Sequence, residues 1–126
     1  MSGVLVDTSV WVDHFRRSND ALVELLGLDL AMSHPLVIGE VACGTPPDRM
    51  RTLADLGLLQ PTRQASVFEA LTLIEREKLF GGGCGLIDIL LLTSTLMTPG
   101  AVLWTLDRRL GLLAERFGVG YRAARH

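Results

Sequence analysis

Apolar and polar positions along this chain alternate between two periods. "VLVD" (4–7) is a short β-branched run that ends on a carboxylate. "SVWVDHFRR" after it has helical spacing, with Val10, Trp11 and Phe15 toward one side. "NDALVELLG" predicts a second short helix, capped by Asn19 and stopped at Gly27. "LAMS" (30–33) reads as a second strand, and Ser33-His34-Pro35 opens a helix through Val41 that closes near "CGTPP". "DRMRTLADLG" is helical, "LLQP" (58–61) is a third apolar run, and "SVFEALTLIEREKL" (66–79) is a strongly amphipathic helix. The turn "FGGGCG" leads into "LIDILLLTSTLM", a helix so apolar that it belongs in a core. "AVLWTLD" (101–107) is a clear strand, "RRLGLLAERFG" is helical, and "VGYR" is a candidate last edge strand.

Strands that alternate with helices, with no hairpin signal, imply parallel strands covered by helices on both faces, an α/β fold. Length sets the unit: 126 residues are one domain, 1–126. Open sheets of this kind collect ligands beyond the carboxyl ends of their strands. Asp7 and Asp107 both stand at such an end.

Composition adds exclusions. Hydrophobic residues at 48% and charged residues at 21% describe a globular core. A net charge of −2 speaks against a broadly basic nucleic-acid binder, yet arginines cluster at Arg16/Arg17, Arg108/Arg109 and Arg122/Arg125. Cys43 and Cys84 form no CxxC pair and no zinc spacing, and read as small buried hydrophobes in a reducing compartment. No basic segment precedes the first apolar run, and the longest apolar tract is broken by Asp88 and too short to span a bilayer. These features predict a cytoplasmic protein with no membrane association.

Most acidic residues occupy polar or helix-surface positions. Asp13 is one of them, paired with Arg17 at i, i+4. Four are placed differently: Asp7 and Asp107 end apolar runs, while Glu40 in "LVIGEVAC" and Asp88 in "GLIDILLL" sit among apolar neighbours. Each has a structural explanation on its own. Asp7 and Asp107 can cap the helices that follow, Glu40 can pair with an arginine, and Asp88 can sit at the favourable end of a helix dipole. Four together point to convergence. Two such charges about 5 Å apart repel by roughly 3 kcal/mol at an effective dielectric near 20, so a shared site needs several arginines or a divalent cation. Oxygen donors without a Cys/His set favour Mg²⁺ or Mn²⁺ over zinc. His14, His34 and His126 have no metal spacing and suit surface or capping roles. Ser9, Thr8 and Thr105 flank the acids, either capping helices or orienting a carboxylate or a water. The glycine turn lacks the Gly-Lys-Ser/Thr of a phosphate loop and reads as a hinge.

"VLVDTSVWVDHFR", "PLVIGEVACG", "KLFGGGCGLIDILLLTS" and "LWTLDRRL" resemble, in order and over nearly the whole chain, the successive motifs of PIN-domain ribonucleases, specifically VapC-type toxins of toxin–antitoxin pairs. The resemblance implies a PIN-like three-layer α/β/α sandwich with a mostly parallel sheet of four to five strands. It implies Mg²⁺ or Mn²⁺ held by Asp7, Glu40, Asp88 and Asp107, with Ser9 and Thr105 at the polar positions beside them. Asp13 matches no ligand. A homodimer and a cognate VapB-type antitoxin, blocking the site with its C-terminal segment, are implied as partners. The chain departs from the pattern at Ile89-Leu90, where such toxins often carry Ala-His, and at Gly82, where they often carry a basic residue.

The expected activity is metal-dependent endoribonuclease action of a type II toxin. A metal-activated water would attack the phosphodiester in line, and the resemblance implies single-stranded or looped RNA as substrate and 5′-phosphate and 3′-hydroxyl ends as products. Arg108, Arg109 and Arg16 are candidate phosphate contacts. The alternative is a non-cleaving PIN-like module that binds RNA or antitoxin, against which retention of all four acids speaks. Chemistry on a phosphorylated Asp7 is a weaker rival, because the only lysine, Lys78, falls in a helix.

Overall fold

The computed structural model describes residues 3–123. Four short runs form strands: β1 (Gly3–Val6), β2 (Ala31–Ser33), β3 (Gln60–Pro61) and β4 (Ala101–Trp104). Between and after them lie α1 (Thr8–Arg17), α2 (Asp20–Gly27), α3 (Pro35–Cys43), α4 (Arg49–Leu58), α5 (Val67–Glu77), α6 (Leu86–Met97) and α7 (Arg108–Arg116). The sheet order is β3-β2-β1-β4 and every pair is parallel. Parallel neighbours need crossover connections, and helices supply each of them here.

All four residues of β1 and all three of β2 are buried, so helices cover both faces of the central strands and the three-layer sandwich follows. β3 lies at one edge, where Pro61, lacking an N–H, is tolerated. The opposite edge, β4, is covered by the C-terminal segment: Leu103 accepts from Tyr121 and donates to Val119, and Trp104 packs against Tyr121 with ring centroids 5.2 Å apart. The fifth strand expected at "VGYR" is therefore a single parallel bridge, Leu103 to Gly120.

Seven consecutive residues of α6, Ile89 to Thr95, are buried, as the apolar run requires. Its polar members are satisfied internally: Thr93 and Thr95 donate to the carbonyls of Ile89 and Leu91, four residues back. Ser94 Oγ accepts from the Ala65 N–H and meets His34 Nε2, both at 3.0 Å. His34 Nδ1 accepts from the Leu36 N–H and so caps α3, which leaves Nε2 as the protonated nitrogen of a neutral ring donating to Ser94. Burial holds this imidazole below its ordinary pKa. His34 thus has the expected capping role but in the core, where it ties β2 to α6.

Two sequence expectations change. Cys43 is exposed at the C-terminal end of α3, and Cys84, in the turn before α6, is half-buried against the core. Arg125 and His126 lie outside the described residues. Among the described residues, no helix is long and apolar enough to cross a membrane.

Candidate active site

Register builds the site. Val6 of β1 pairs with Trp104 of β4, and the Asp7 N–H donates to the Trp104 carbonyl at 2.9 Å. The residues that leave the two strands, Asp7 and Thr105, therefore emerge side by side at the carboxyl rim. Asp7 is 8% exposed. Its carboxylate accepts from Thr105 Oγ1 at 2.8 Å, from Ser9 Oγ at 2.7 Å and, more loosely, from the Ser9 N–H at 3.4 Å. All three donors fall on Oδ2. Ser9 Oγ in turn accepts from the Leu106 N–H and Thr105 Oγ1 from the Asp107 N–H, so the two hydroxyls join both strand–helix turns.

Asp7 is the N-cap of α1 and Asp107 the N-cap of α7, the latter accepting from the Leu110 N–H at 2.9 Å. The capping roles foreseen for both are real. Asp107 is exposed, however, since β4 stops at Trp104 and the next three residues form a turn. Asp88 occupies the first turn of α6, whose N-cap Gly85 has no side chain. The Gly85 backbone hydrogen-bonds back to the Asp88 carboxylate, the return half of a capping box.

Capping does not account for the electrostatics. Burial pushes the Asp88 carboxyl above its ordinary range; the Gly85 bond opposes this, and the charges of Asp7 and Asp107 add to it. The charges of Asp7 and Asp107 thus reach Asp88 across the rim. Among the described residues none of the three pairs with a cation, whereas Asp13, Asp55, Glu77 and Glu115 each do.

Glu40 requires a correction. It is exposed, not buried among apolar neighbours, because α3 turns that side to solvent. It lines a separate groove with Val12, Phe15, Arg16 and Val41. Among the described residues, no three Asp, Glu, His or Cys side chains are drawn close enough to form a ready cation cage. The donor chemistry fits a hard divalent cation: oxygen only, no arginine paired with Asp7, Asp88 or Asp107 among the described residues, and an Asp7 Oδ1 that none of the three donors uses.

Asp13 has different surroundings. It meets Arg17 Nε at 2.7 Å and Asn19 Nδ2 at 3.0 Å, and these hydrogen bonds, Asn19 first, lower its pKa. Arg108 and Arg109 open α7, where the positive end of the helix disfavours cations. Neither pairs with a carboxylate among the described residues. Arg16 is exposed beside Glu40.

The parallel sheet, its helix layers and the acidic carboxyl rim define a PIN-like α/β domain. No family model matches the chain. Two curated relatives do match: Ribonuclease VapC32 of Mycobacterium tuberculosis strain CDC 1551 / Oshkosh and Ribonuclease VapC32 of strain ATCC 25618 / H37Rv. Each is 44% identical over 116 residues, 92% of this chain and 94% of the relative. The chain belongs to the VapC family of PIN-domain ribonuclease toxins.

Proposed function

We propose that this protein is a cytoplasmic endoribonuclease toxin that hydrolyses RNA phosphodiesters with a divalent cation, Mg²⁺ or Mn²⁺, and is held in check by a VapB-type antitoxin. The observation that carries this reading is the state of Asp7. Its carboxylate is buried and has no cation partner among the described residues, three donors fall on Oδ2, and the charges of Asp7 and Asp107 bear on Asp88.

Asp7 and Asp88 would be the principal ligands. Asp107 and Glu40 would complete the set, Glu40 from the neighbouring groove. A bound cation would supply charge neutralisation at the phosphoryl oxygens and acidify a water for in-line attack.

The chain's own groups do the rest. Ser9 and Thr105 hold Asp7 Oδ2 and so fix its rotamer, which spares loss of side-chain freedom on binding. Arg108, Arg109 and Arg16, which form no ion pair among the described residues, would take the phosphates on either side of the scissile bond. Attack by water breaks the P–O3′ bond and leaves a 5′-phosphate and a 3′-hydroxyl. Attack by the ribose 2′-hydroxyl would need a general base and acid at the rim. His34 is committed in the core, and His14 Nδ1 accepts from the Asn19 N–H two turns along α1.

The test is cleavage of an unstructured RNA by the purified protein in Mn²⁺, in EDTA, and after Mn²⁺ is restored, with end-group analysis of the products. Cleavage lost to EDTA, regained with Mn²⁺ and giving 5′-phosphates supports the reading. Cleavage in EDTA, or 2′,3′-cyclic ends, refutes it. The homodimer that the resemblance implies is also a proposal here, checked by sedimentation equilibrium.

A further inference from the structure

We propose that the groove between the glycine-rich turn and α7 is a subsite for one nucleotide of single-stranded RNA, its base stacked on Phe80 and its phosphate held by Arg109. This rests on the RNA-hydrolase reading and deepens it by naming where the chain beside the scissile bond lies.

The groove has a volume of about 310 Å³, the scale of a small-ligand pocket, and its walls include Lys78, Phe80, Cys84, Arg109 and Leu112. Phe80 is 66% exposed, a large aromatic presented to solvent with cations around it. Two of those cations, Lys78 and Arg109, have no carboxylate partner among the described residues. Arg17, Arg51, Arg76, Arg116 and Arg122 all have one. An exposed ring flanked by unneutralised cations is the combination that binds single strands, stacking for the base and charge for the backbone.

The backbone makes room for this arrangement. Gly83 has φ 90°, and a Cβ there would come within 2.7 Å of Arg109 Cδ and Nη1, so the bare glycine supplies the space in which the Arg109 side chain lies. The turn that read as a hinge of unknown purpose is thus a seat for a guanidinium from α7. Arg116 closes the far end, held by Glu77 through its carboxylate at 3.6 Å and its carbonyl at 3.2 Å. The near end opens on the acidic rim: Arg109 follows Asp107 by two residues, and the charges of Asp88 and Asp107 reach the Cys84 thiol on the groove wall. A nucleotide in this groove is therefore a neighbour of a phosphodiester at the acids.

The test uses the full chain with Asp88→Asn as the non-cleaving parent and a fluorescein-labelled, unstructured RNA oligonucleotide as the probe, with affinity read by anisotropy over a range of salt. Adding Phe80→Ala should weaken binding about tenfold while leaving the salt dependence unchanged, and Phe80→Trp should restore it. Adding Arg109→Gln should make the slope of log affinity against log salt shallower by about 0.7. Both side chains are exposed, so neither change threatens the fold. Parental affinity in Phe80→Ala, the result expected if the groove takes an apolar protein segment, overturns the proposal. So does an unchanged slope in Arg109→Gln. Cleavage by the wild-type chain in Mn²⁺ is measured alongside. Cleavage without an effect of the groove variants sinks the subsite alone, whereas no cleavage sinks the hydrolase reading beneath it.

Discussion

Thr105 Oγ1 donates to Asp7 Oδ2 over 2.8 Å, joining the ends of two adjacent strands from positions 98 residues apart in the chain. The same oxygen of Thr105 receives the Asp107 N–H at 3.0 Å, so one hydroxyl holds both the acid that ends β1 and the turn that positions the next acid. Thr105→Val keeps the shape and removes both bonds. A hydrogen bond to a charged group contributes about 2 kcal/mol, and urea denaturation should show a loss of that order. Cleavage should fall further than the loss of folded protein explains, because Asp7 becomes free to rotate. A variant with normal activity per folded molecule would show that Thr105 only staples the fold.

Asp7→Asn should reduce RNA cleavage to background, since it removes the negative charge while an amide oxygen still accepts from Ser9 and Thr105. Asp13→Asn should leave cleavage within about twofold, because an exposed i, i+4 pair contributes only a few tenths of a kcal/mol. Initial rates of the two purified variants decide the matter. Equal behaviour would undo the distinction between the two aspartates that geometry draws.

Glu40→Gln should behave differently from both. The carboxylate stands in its own groove beside Arg16, apart from the charges that act on Asp88. Losing it should raise the Mn²⁺ concentration needed for half-maximal cleavage by about tenfold while the saturated rate changes little, the pattern of a contributor to binding alone. Abolished activity at saturating Mn²⁺ would instead place Glu40 among the principal ligands.

Acid should loosen the fold through His34. Its imidazole is buried and neutral, held below the ordinary value of 6.5, while the unfolded chain protonates as pH falls through that value. The unfolded state then binds more protons, so the contribution present above about pH 6.5 is lost progressively below it. Urea midpoints at about pH 7.5 and about pH 5.5 should show this loss, and His34→Gln should show a smaller difference between them. Equal pH dependence in the two proteins would assign the acid sensitivity elsewhere.

Much of this molecule is legible along the chain. α6 matches "LIDILLLTSTLM" residue for residue, and its middle, Ile89 to Thr95, is buried as so apolar a run requires. β1 and β4 are visible as short apolar runs, and their parallel direction follows from the helices between them. What the pattern hides is orientation. Glu40 has apolar neighbours along the chain, yet helical geometry turns it outward, which no count of flanking residues reveals. The fifth strand reduces to one bridge because its partner positions are set by tertiary packing on β4, not by propensity. The groove of Phe80 and Arg109 joins residues far apart in the chain, and only the unexplained glycines, with a lysine and an aromatic before them, hinted at it.

We propose that a divalent cation relieves the repulsion that the charges of Asp7 and Asp107 exert on Asp88. Calorimetric titration of Mn²⁺ into the wild-type chain and into Asp88→Asn tests this without RNA. Saturable binding to the wild-type chain is expected, at least about tenfold weaker in the variant, with a Mn²⁺-dependent rise in melting temperature in the wild type alone. Equal Mn²⁺ affinity in the two proteins, or no binding to either, would contradict it.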